Sequence, residues 1–232
     1  MKKVDVAIIG AGLAGIFAAY ELVVQRPDLE VLLLEQGEPI RSRNCPILQG
    51  KVGMCIHCKT CAVMRGFGGA GAFSDGKFNL TTEFGGWLTD YLDSKTVLSL
   101  IYDVDAINQK FGATGKWFST ETPEGEAIRK RALACDIHLL DARCKHLGTE
   151  NNREILMKLY DWLNDHVELS CNTTVSTIIP MKAGQAVSRL NGVEPDCYRL
   201  ETSKGDVECD ILIAAPGRAG AEWFSNACRK LK

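Results

Sequence analysis

The opening stretch of the chain constrains the fold more than any other part of the sequence. It begins with "VDVAIIG", a short β-branched apolar run that is typical of a strand buried on both faces. The next stretch, "AGLAGIFAAYELVVQRP", has helical spacing and ends at Pro27. The spacing predicts that Leu13, Ile16, Phe17, Tyr20 and Val24 share one face of this helix. A second apolar run, "LEVLLLEQG", follows, so the order strand, helix, strand predicts a parallel pair joined by a right-handed crossover.

A glycine pattern marks the turn between the first strand and the helix. The residues from Gly10 to Gly15 read "GAGLAG", the GxGxxG arrangement. Gly10 would allow the sharp turn, Gly12 would let a pyrophosphate approach the backbone, and Gly15 would let the helix pack closely on the strand. The phosphates would then meet the N-terminus of the helix, where unpaired N–H groups favour negative charge.

An acidic residue stands at the end of the second predicted strand. Glu35 lies about 20 residues beyond the last glycine of the turn, where a carboxylate can bind a ribose diol. A carboxylate at this position would repel a 2′-phosphate, which disfavours NADP at this site. The strand, turn, helix and acid together predict a dinucleotide site, and the alternative is a purely structural glycine turn.

The C-terminal part predicts a small antiparallel meander and a further buried strand. Three extended stretches, "CNTTVSTIIP", "CYRLETS" and "DVECD", come before the apolar run from Ile211 to Ala215. The segment from Ser203 to Gly205, "SKG", is typical of a hairpin turn. The last strand closes on Ala215-Pro216-Gly217.

This order of elements resembles the FAD-binding domain of the glutathione reductase-like flavoproteins. The stretches "GFGGAGAFSDGKFNLTTEFGGWL" and "RCKHLGTE" resemble those of uncharacterised bacterial and archaeal FAD-dependent dehydrogenases. The resemblance implies that the returning strand joins the sheet beside the first one and that its glycine passes close to the cofactor. It also implies that Glu35 binds the ribose and that the backbone of Val175, in the strand after a helix at 150–164, faces the adenine.

The expected fold is therefore α/β, a Rossmann-like FAD-binding domain with a parallel central sheet, an inserted segment and an antiparallel β-meander. Residues 1–35 and 165–232 would form the dinucleotide-binding domain, and residues 36–164 an insertion with the cysteine cluster, the glycine-rich loop and helices. The family's chains continue further, into a C-terminal segment that closes over the flavin. The resemblance implies that this chain is an N-terminal portion, so a partner chain that completes the fold is a second expectation.

The glycine-rich block is the second candidate for cofactor contacts. Gly66, Gly68, Gly69 and Gly71 would let backbone N–H groups form a nest that accepts phosphate or polarises a flavin edge. Ser74, Asp75 and Lys77 would add side-chain contacts, and the alternative is a glycine loop that only covers the core. The residues predicted to contact the cofactor are Gly10, Ala11, Gly12, Leu13, Ala14, Gly15, Glu35, Gln36, Gly69, Ala70, Gly71, Ser74, Val175, Ala215 and Gly217.

Four of the ten cysteines have the spacing of metal ligands. Cys55, Cys58 and Cys61 form a CxxCxxC run, and Cys45-Pro46 stands upstream. The pattern is similar to the ferredoxin run, although there the Cys-Pro follows the triplet. The alternatives are a [4Fe–4S] cluster, a tetrahedral zinc with His57 as a further ligand, a dithiol couple, or unligated thiols.

The sequence assigns no catalytic residue. His146 is the best candidate for an acid or base, and the rival interpretation is that it anchors the turn before the 150–164 helix, with Thr149 as the N-cap. The predicted function is FAD-dependent oxidoreduction of a small substrate, with NAD(P)H as a candidate electron donor. The alternatives are a non-catalytic nucleotide-binding fragment that needs a partner chain, and an iron–sulfur or zinc protein on a dinucleotide-binding scaffold.

Charge and hydropathy argue against other partners. The formal net charge is −2, which provides no basic surface for nucleic acid or for an anionic membrane. Asp5 and the glycines of the first turn interrupt the apolar N-terminal run, so that neither a signal peptide nor a membrane span is expected. The sequence therefore predicts a cytoplasmic protein.

Overall fold

The structure is a computed structural model that describes residues 1–188, 190 and 194–231. The chain divides into two compact units, one formed by residues 1–72 and 156–232 and the other by residues 73–155. The strands are β1 (Lys2–Ile9), β2 (Val31–Leu34), β3 (Lys77–Leu80), β4 (Trp117–Ser119), β5 (Arg143–His146), β6 (Glu168–Ser170), β7 (Val175–Lys182), β8 (Gln185–Ala186), β9 (Cys197–Thr202) and β10 (Val207–Ala214). The helices in the described ranges are α1 (Leu13–Gln25), α2 (Ser94–Lys110), α3 (Pro123–Leu133), α4 (Thr149–His166) and α5 (Gly217–Leu231).

The first unit contains a mixed seven-stranded sheet in the order β6-β2-β1-β10-β9-β7-β8. The strands from β6 to β10 in this order are parallel, and β9, β7 and β8 continue the sheet in antiparallel fashion. β1 lies inside the sheet, and Val6, Ala7 and Ile8 are fully buried, as the apolar run predicts. The α/β Rossmann-like fold is therefore confirmed.

The first crossover is as predicted, but the buried face of its helix is not. α1 buries Gly15, Ile16, Ala19 and Tyr20. Leu13 and Val24, at the ends of the predicted face, are each about half exposed. Small side chains do part of the packing because Gly15 and Ala19 allow a close approach to the sheet, so the large apolar residues alone give a wrong helix face.

The meander differs from its prediction in one respect. The hairpin between β9 and β10 is confirmed, since its turn closes with a hydrogen bond from the Gly205 N–H to the Thr202 carbonyl oxygen. "DVECD" and the apolar run after it are one strand, β10, and not two. The first part of β10 pairs with β9 on one side while its whole length pairs with β1 on the other. Val175 begins the second strand after α4, because the short β6 intervenes.

The second unit contains the antiparallel sheet β3-β5-β4 and helices α2 and α3. Its interior holds an ion pair, in which Lys145 Nζ donates to both carboxylate oxygens of Asp105 at 2.7 and 2.8 Å. Lys145 Nζ also lies 4.1 Å from the centre of the Trp117 ring. Because both charges are buried, each stabilises the unit only while its partner is present.

The helix predicted at 150–164 is α4. Its first residue is Thr149, and the Asn152 N–H donates to the carbonyl oxygen of Gly148. Gly148 therefore occupies the N-cap position, and the prediction of Thr149 as the N-cap is wrong by one residue. None of the helices in the described part of the chain is long and apolar enough to cross a membrane.

Candidate dinucleotide site

The turn after β1 is tight because two of its glycines leave no room for a side chain. Gly10 has a φ of +100°, and a Cβ there would overlap the carbonyl oxygen of Ala215. A Cβ at Gly15 would overlap the carbonyl oxygen of Gly10. Hydrogen bonds from the Gly10 N–H to Leu34 and from the Ala215 N–H to Ile9 tie the three strand ends together at 2.7 and 2.8 Å. The carboxyl ends of β2, β1 and β10 therefore meet at one edge, where α/β folds bind their ligands.

Gly12 differs from its two neighbours in the motif. It is the N-cap of α1 in an extended conformation, and no atom lies within 4 Å of the position that a Cβ would occupy. The space in front of the helix N-terminus is therefore open. The first N–H groups of a helix have no acceptor within the helix, so the opening is suited to an anion.

Glu35 lies at the end of β2 with its side chain almost completely buried. Its Oε1 accepts hydrogen bonds from the N–H groups of Gly37 and Gly66 at 2.8 and 2.9 Å, and its Oε2 accepts one from Ala11 at 2.9 Å. A carboxylate offers about four acceptor positions, so one remains on Oε2. The carboxylate is therefore a structural link between the glycine turn and the glycine-rich loop, with limited capacity left for a ribose hydroxyl.

The glycine-rich loop lies directly against the glycine turn. The Gly68 N–H donates to the Ala11 carbonyl oxygen at 2.8 Å, and a Cβ at Gly69 would lie 3.2 Å from the Gly12 Cα. The Gly69 N–H donates to the Gly66 carbonyl oxygen at 2.8 Å, and the Gly66 N–H is held by Glu35. Three of the four amides predicted to form a phosphate nest, those of Gly66, Gly68 and Gly69, therefore already have an acceptor within the protein.

The buried side chain of Arg43 holds the backbone of the same loop in place. Its guanidinium is 1% exposed and donates to five carbonyl oxygens of the segment from Ala62 to Gly69. The shortest of these bonds reach Phe67 and Gly69, at 2.7 Å each. A planar group with five fixed donors can hold a curved backbone in this way, which a lysine cannot.

Two adjoining cavities form a crevice along the edge where the strands end. The first, of about 260 Å³, contains the glycine turn and the glycine-rich loop, and the second, of about 210 Å³, extends to Val175 and Trp223. Both share Gly10, Glu35, Gln36, Arg65, Pro216 and Ala219. Eleven predicted residues line the crevice: Gly10, Gly12, Leu13, Glu35, Gln36, Gly69, Ala70, Gly71, Val175, Ala215 and Gly217.

The remaining predicted residues do not line it. Ala11 is fully buried and acts through its N–H and carbonyl groups, Gly15 serves the packing of α1, and Ala14 is exposed on the helix. Ser74 belongs to the second unit, where its Oγ accepts a hydrogen bond from the Gly76 N–H at 3.2 Å.

Sequence reasoning missed several residues of the crevice. Arg65 and Arg218 bring positive charge to it, and Thr173, Thr174 and Trp223 complete the cavity around Val175. The Trp223 indole N–H donates to the Ser176 carbonyl oxygen at 3.0 Å, which fixes the ring. Arg218 directly follows Gly217, the first residue of α5, and its place just after the last parallel strand was the available signal.

The four clustered cysteines line a third cavity of the first unit. Cys45, Cys55, Cys58 and Cys61 surround about 200 Å³ together with His57 and apolar side chains. In the described part of the chain, no group of three or more His, Cys, Asp or Glu side chains is arranged to hold a metal ion. The metal assignment therefore stays a prediction. Burial raises the pKa of two scattered thiols, Cys171 to about 12 and Cys209 to about 11, so both stay protonated at neutral pH.

His146 lies at the end of β5, half exposed, with its Nε2 3.6 Å from Asp75 Oδ2. The same carboxylate oxygen lies 3.0 Å from Lys77 Nζ. The hydrogen bond from Lys77 lowers the pKa of Asp75, and the charge of His146 adds a smaller effect in the same direction. These three side chains pair with one another in the second unit, and they provide no ground for naming a catalytic residue.

Comparison with known proteins identifies one family signature, on the first crossover. Residues 8–43 match the model of the NAD(P)-binding Rossmann-like domain. The matched segment contains the glycine turn, α1 and β2 with Glu35. No curated protein matches the chain.

Several solved structures match the chain at low sequence identity. They include glycine oxidase from Geobacillus kaustophilus, with 16% identity and a TM-score of 0.49 over 97% of this chain and 59% of that one. NikD, an amino acid oxidase essential for nikkomycin biosynthesis, has 13% identity and a TM-score of 0.47 over 94% and 52%. Quinol fumarate reductase from E. coli has 14% identity and a TM-score of 0.49 over 95% and 34%. The chain thus spans about half the length of the first two, and similarity at this level has no bearing on its activity.

Proposed function

We propose that this chain is the dinucleotide-binding part of an FAD-dependent oxidoreductase that acts on a small substrate. The observation that carries the proposal is the crevice at the ends of β2, β1 and β10, with an open helix N-terminus at Gly12 in its wall. The match of residues 8–43 to an NAD(P)-binding Rossmann-like domain supports a dinucleotide as the ligand.

In this proposal the pyrophosphate lies in front of Gly12. Backbone N–H groups at the start of α1 bind it, and Arg65 and Arg218 contribute positive charge from the same cavity. The adenosine half occupies the second cavity, where the Trp223 ring and the backbone near Val175 would face the base. The free acceptor position on Glu35 Oε2 would bind one ribose hydroxyl.

The crevice extends beyond the position proposed for the pyrophosphate. The first cavity continues beyond the glycine turn to Ala70, Gly71 and Leu13, beneath the glycine-rich loop. FAD carries a ribityl chain and a three-ring isoalloxazine on the far side of its pyrophosphate, and this continuation offers space for that half. The charge of Glu35 disfavours the 2′-phosphate of NADP in the adenosine position, so NAD(P)H would act as an electron donor elsewhere.

The cofactor, when bound, would supply the electron chemistry by accepting a hydride equivalent from the substrate or the donor. The residues of this chain would hold and orient the cofactor. The glycine turn would bind its pyrophosphate, Glu35 would bind its ribose, and the glycine-rich loop would cover it. Arg43 and Glu35 hold the backbone of that loop through several hydrogen bonds.

The proposal is tested by measuring which dinucleotide the purified chain binds. After any bound flavin has been released by denaturation and identified, the refolded chain is titrated with FAD, NAD⁺ and ADP while tryptophan fluorescence is followed. FAD should bind most tightly and change the signal of Trp223, and a Trp223→Phe variant should bind with less of that change. Tighter binding of NAD⁺ than of FAD would refute the FAD assignment.

A non-catalytic nucleotide-binding fragment that needs a partner is the second candidate, because one central strand is poorly covered. β10 lies between β1 and β9 in the sheet, yet Ile211 is 54% exposed. A strand in this position is normally buried on both faces, so another polypeptide segment would be expected to cover this side chain. A chain that binds none of the three nucleotides and aggregates at low concentration would favour this candidate.

A further inference from the structure

We infer that Cys45, Cys55, Cys58 and Cys61 form the binding site of a [4Fe–4S] cluster beside the dinucleotide crevice. The inference goes beyond the proposed function, since a flavin oxidoreductase does not require a cluster. It rests on the position of the four thiols around one cavity, the absence of competing charged ligands in that cavity, and the order of the cysteines in the chain.

The four thiols come from two stretches of chain that the fold brings together. Cys45 precedes the CxxCxxC run by ten residues, and a turn at residues 46–51 returns the chain so that all four side chains line the same 200 Å³ cavity. Hydrogen bonds from the Gln49 N–H to the Cys45 carbonyl oxygen and from the Lys51 N–H to the Pro46 carbonyl oxygen close this turn, at 3.0 and 2.9 Å. Four is the number of thiolates that an iron–sulfur cluster requires.

The cysteine thiolates are the charged ligands that the lining of this cavity can provide. Apart from the cysteines and His57, the lining consists of Pro46, Ile47, Val52, Ile56 and Ala62, all apolar. Thiolates select soft metals and iron–sulfur clusters, whereas Mg²⁺ and Ca²⁺ prefer oxygen ligands. Apolar walls also exclude water from a bound cluster, which is one of the means by which proteins set its potential.

The run between Cys55 and Cys58 is already turned toward the cavity. His57 has a φ of +49°, a left-handed conformation that is costly for a residue other than glycine. This conformation lets the chain reverse direction between two ligand positions. Cys55 and Cys58 are exposed and line the cavity. Closure of the thiols around a cluster would complete the site, because metal binding and local folding are coupled.

The order of the cysteines favours an iron–sulfur cluster over zinc. In ferredoxins with two clusters, a CxxCxxC triplet holds one cluster together with a Cys-Pro from a remote part of the chain. Here Cys45-Pro46 stands outside the triplet, ten residues before Cys55, and lies on the same cavity. Zinc sites usually combine two separate ligand pairs, whereas here the CxxC pairs overlap at Cys58.

A single backbone turn separates the proposed cluster site from the dinucleotide crevice. Cys61 and Ala62 line the thiol cavity, and Met64 and Arg65 line the crevice. The N–H groups of Met64 and Arg65 both donate to the Cys61 carbonyl oxygen, at 3.1 and 2.9 Å, so the turn is closed. A cluster held by these cysteines would supply one-electron transfer to or from a flavin bound in the crevice.

The test is a metal analysis of protein produced with ample iron and purified without oxygen. Iron, acid-labile sulfide, zinc and flavin are measured per chain in the parent, in Cys58→Ala and in the control Cys135→Ala, which removes another exposed cysteine. The parent and the control should contain about four iron and four sulfide per chain. They should also be brown and bleach on reduction. Cys58→Ala should lose most of the iron.

The urea midpoint of each variant shows whether it folds, and Cys58→Ser replaces Cys58→Ala if the latter does not. Zinc in place of iron, no metal in the parent, or equal iron in the parent and in both folded Cys58 variants would overturn the inference. The flavin content is an independent measurement. Iron without flavin would refute the proposed function alone, and flavin without iron would refute the cluster alone.

Discussion

Substitution of Gly12 and Gly15 separates cofactor binding from folding within one motif. Gly12→Val places a side chain where no protein atom lies within 4 Å, on a backbone with φ −75° and ψ −178° that valine readily adopts. Loss of the glycine N-cap should destabilise the folded state, whereas valine restricts the unfolded chain and so favours folding. The two effects oppose each other, and the free energy of unfolding should change by about 1 kcal/mol or less. The valine methyl groups would occupy the space proposed for the pyrophosphate.

The expected loss of affinity follows from the bonds that the phosphate would forfeit. Two hydrogen bonds from backbone N–H groups to a charged phosphate contribute about 1.5–3 kcal/mol each. Their loss corresponds to about 3–6 kcal/mol, or a dissociation constant for FAD that rises roughly a hundredfold to ten-thousandfold. Gly15→Ala should instead destabilise the fold, because its Cβ would overlap the Gly10 carbonyl oxygen and force α1 away from β1. It should lower the free energy of unfolding by about 3 kcal/mol.

The assay is FAD titration of each variant together with its urea unfolding curve. Gly86→Val is the matched control, since Gly86 also has open space at its Cβ position and no positive φ, and it lies in the second unit. The control should bind FAD and unfold like the parent. If Gly12→Val binds FAD as tightly as the control, the pyrophosphate does not lie in front of α1. If Gly15→Ala is as stable as the parent, the close packing of helix on strand is wrong.

Three further predictions concern the groups that hold the crevice together. Glu35→Gln should lower the free energy of unfolding by about 1–3 kcal/mol, because an amide NH₂ must face a backbone N–H that the carboxylate accepted; urea unfolding measures this, and an effect no larger than that of the exposed Glu30→Gln would contradict it. Arg43→Lys should cost about 2–4 kcal/mol in the same assay, since an ammonium replaces few of the bonds to carbonyl oxygens, and an unchanged midpoint would refute the role of the guanidinium. The raised pKa of Cys209, about 11 against 9.0 for an ordinary thiol, favours the protonated form in the folded state. The contribution of this thiol to the free energy of unfolding is therefore complete below pH 9 and is lost as the pH rises toward 11, by up to about 3 kcal/mol. If a Cys209→Ala variant shows the same pH dependence of unfolding as the parent, this thiol is not responsible.

The sequence was sufficient for the parts of the fold that depend on local pattern. The first crossover, the glycine turn, α4 and the hairpin before β10 each follow from a few adjacent residues, and all were predicted. The exposed Leu13 and Val24 were assigned wrongly because the contribution of small residues to helix packing depends on the sheet opposite. The two predicted strands that became β10 could not be joined from sequence, since its continuity is imposed by pairing with β1 and β9.

The sequence predicted where the candidate site lies, but it did not predict several of the hydrogen bonds within the site. Glu35 was found from its spacing, but its bond to Gly66 joins residues 31 positions apart and occupies capacity that the ribose role would use. Three amides of the predicted nest, those of Gly66, Gly68 and Gly69, have acceptors that tertiary contacts set, so the sequence could not show that they are occupied. Arg43 carries no local signal at all, as its partners are carbonyl oxygens about 20 or more residues away.

The proposed dinucleotide position is at the ends of β1, β2 and β10. A crystal structure of the chain grown with saturating FAD tests it most directly. We expect density for a pyrophosphate within hydrogen-bonding distance of the N–H groups at the start of α1, with the adenine beside Val175. Density for FAD at any other place on the chain, or a crevice without ligand at saturating FAD, would contradict it.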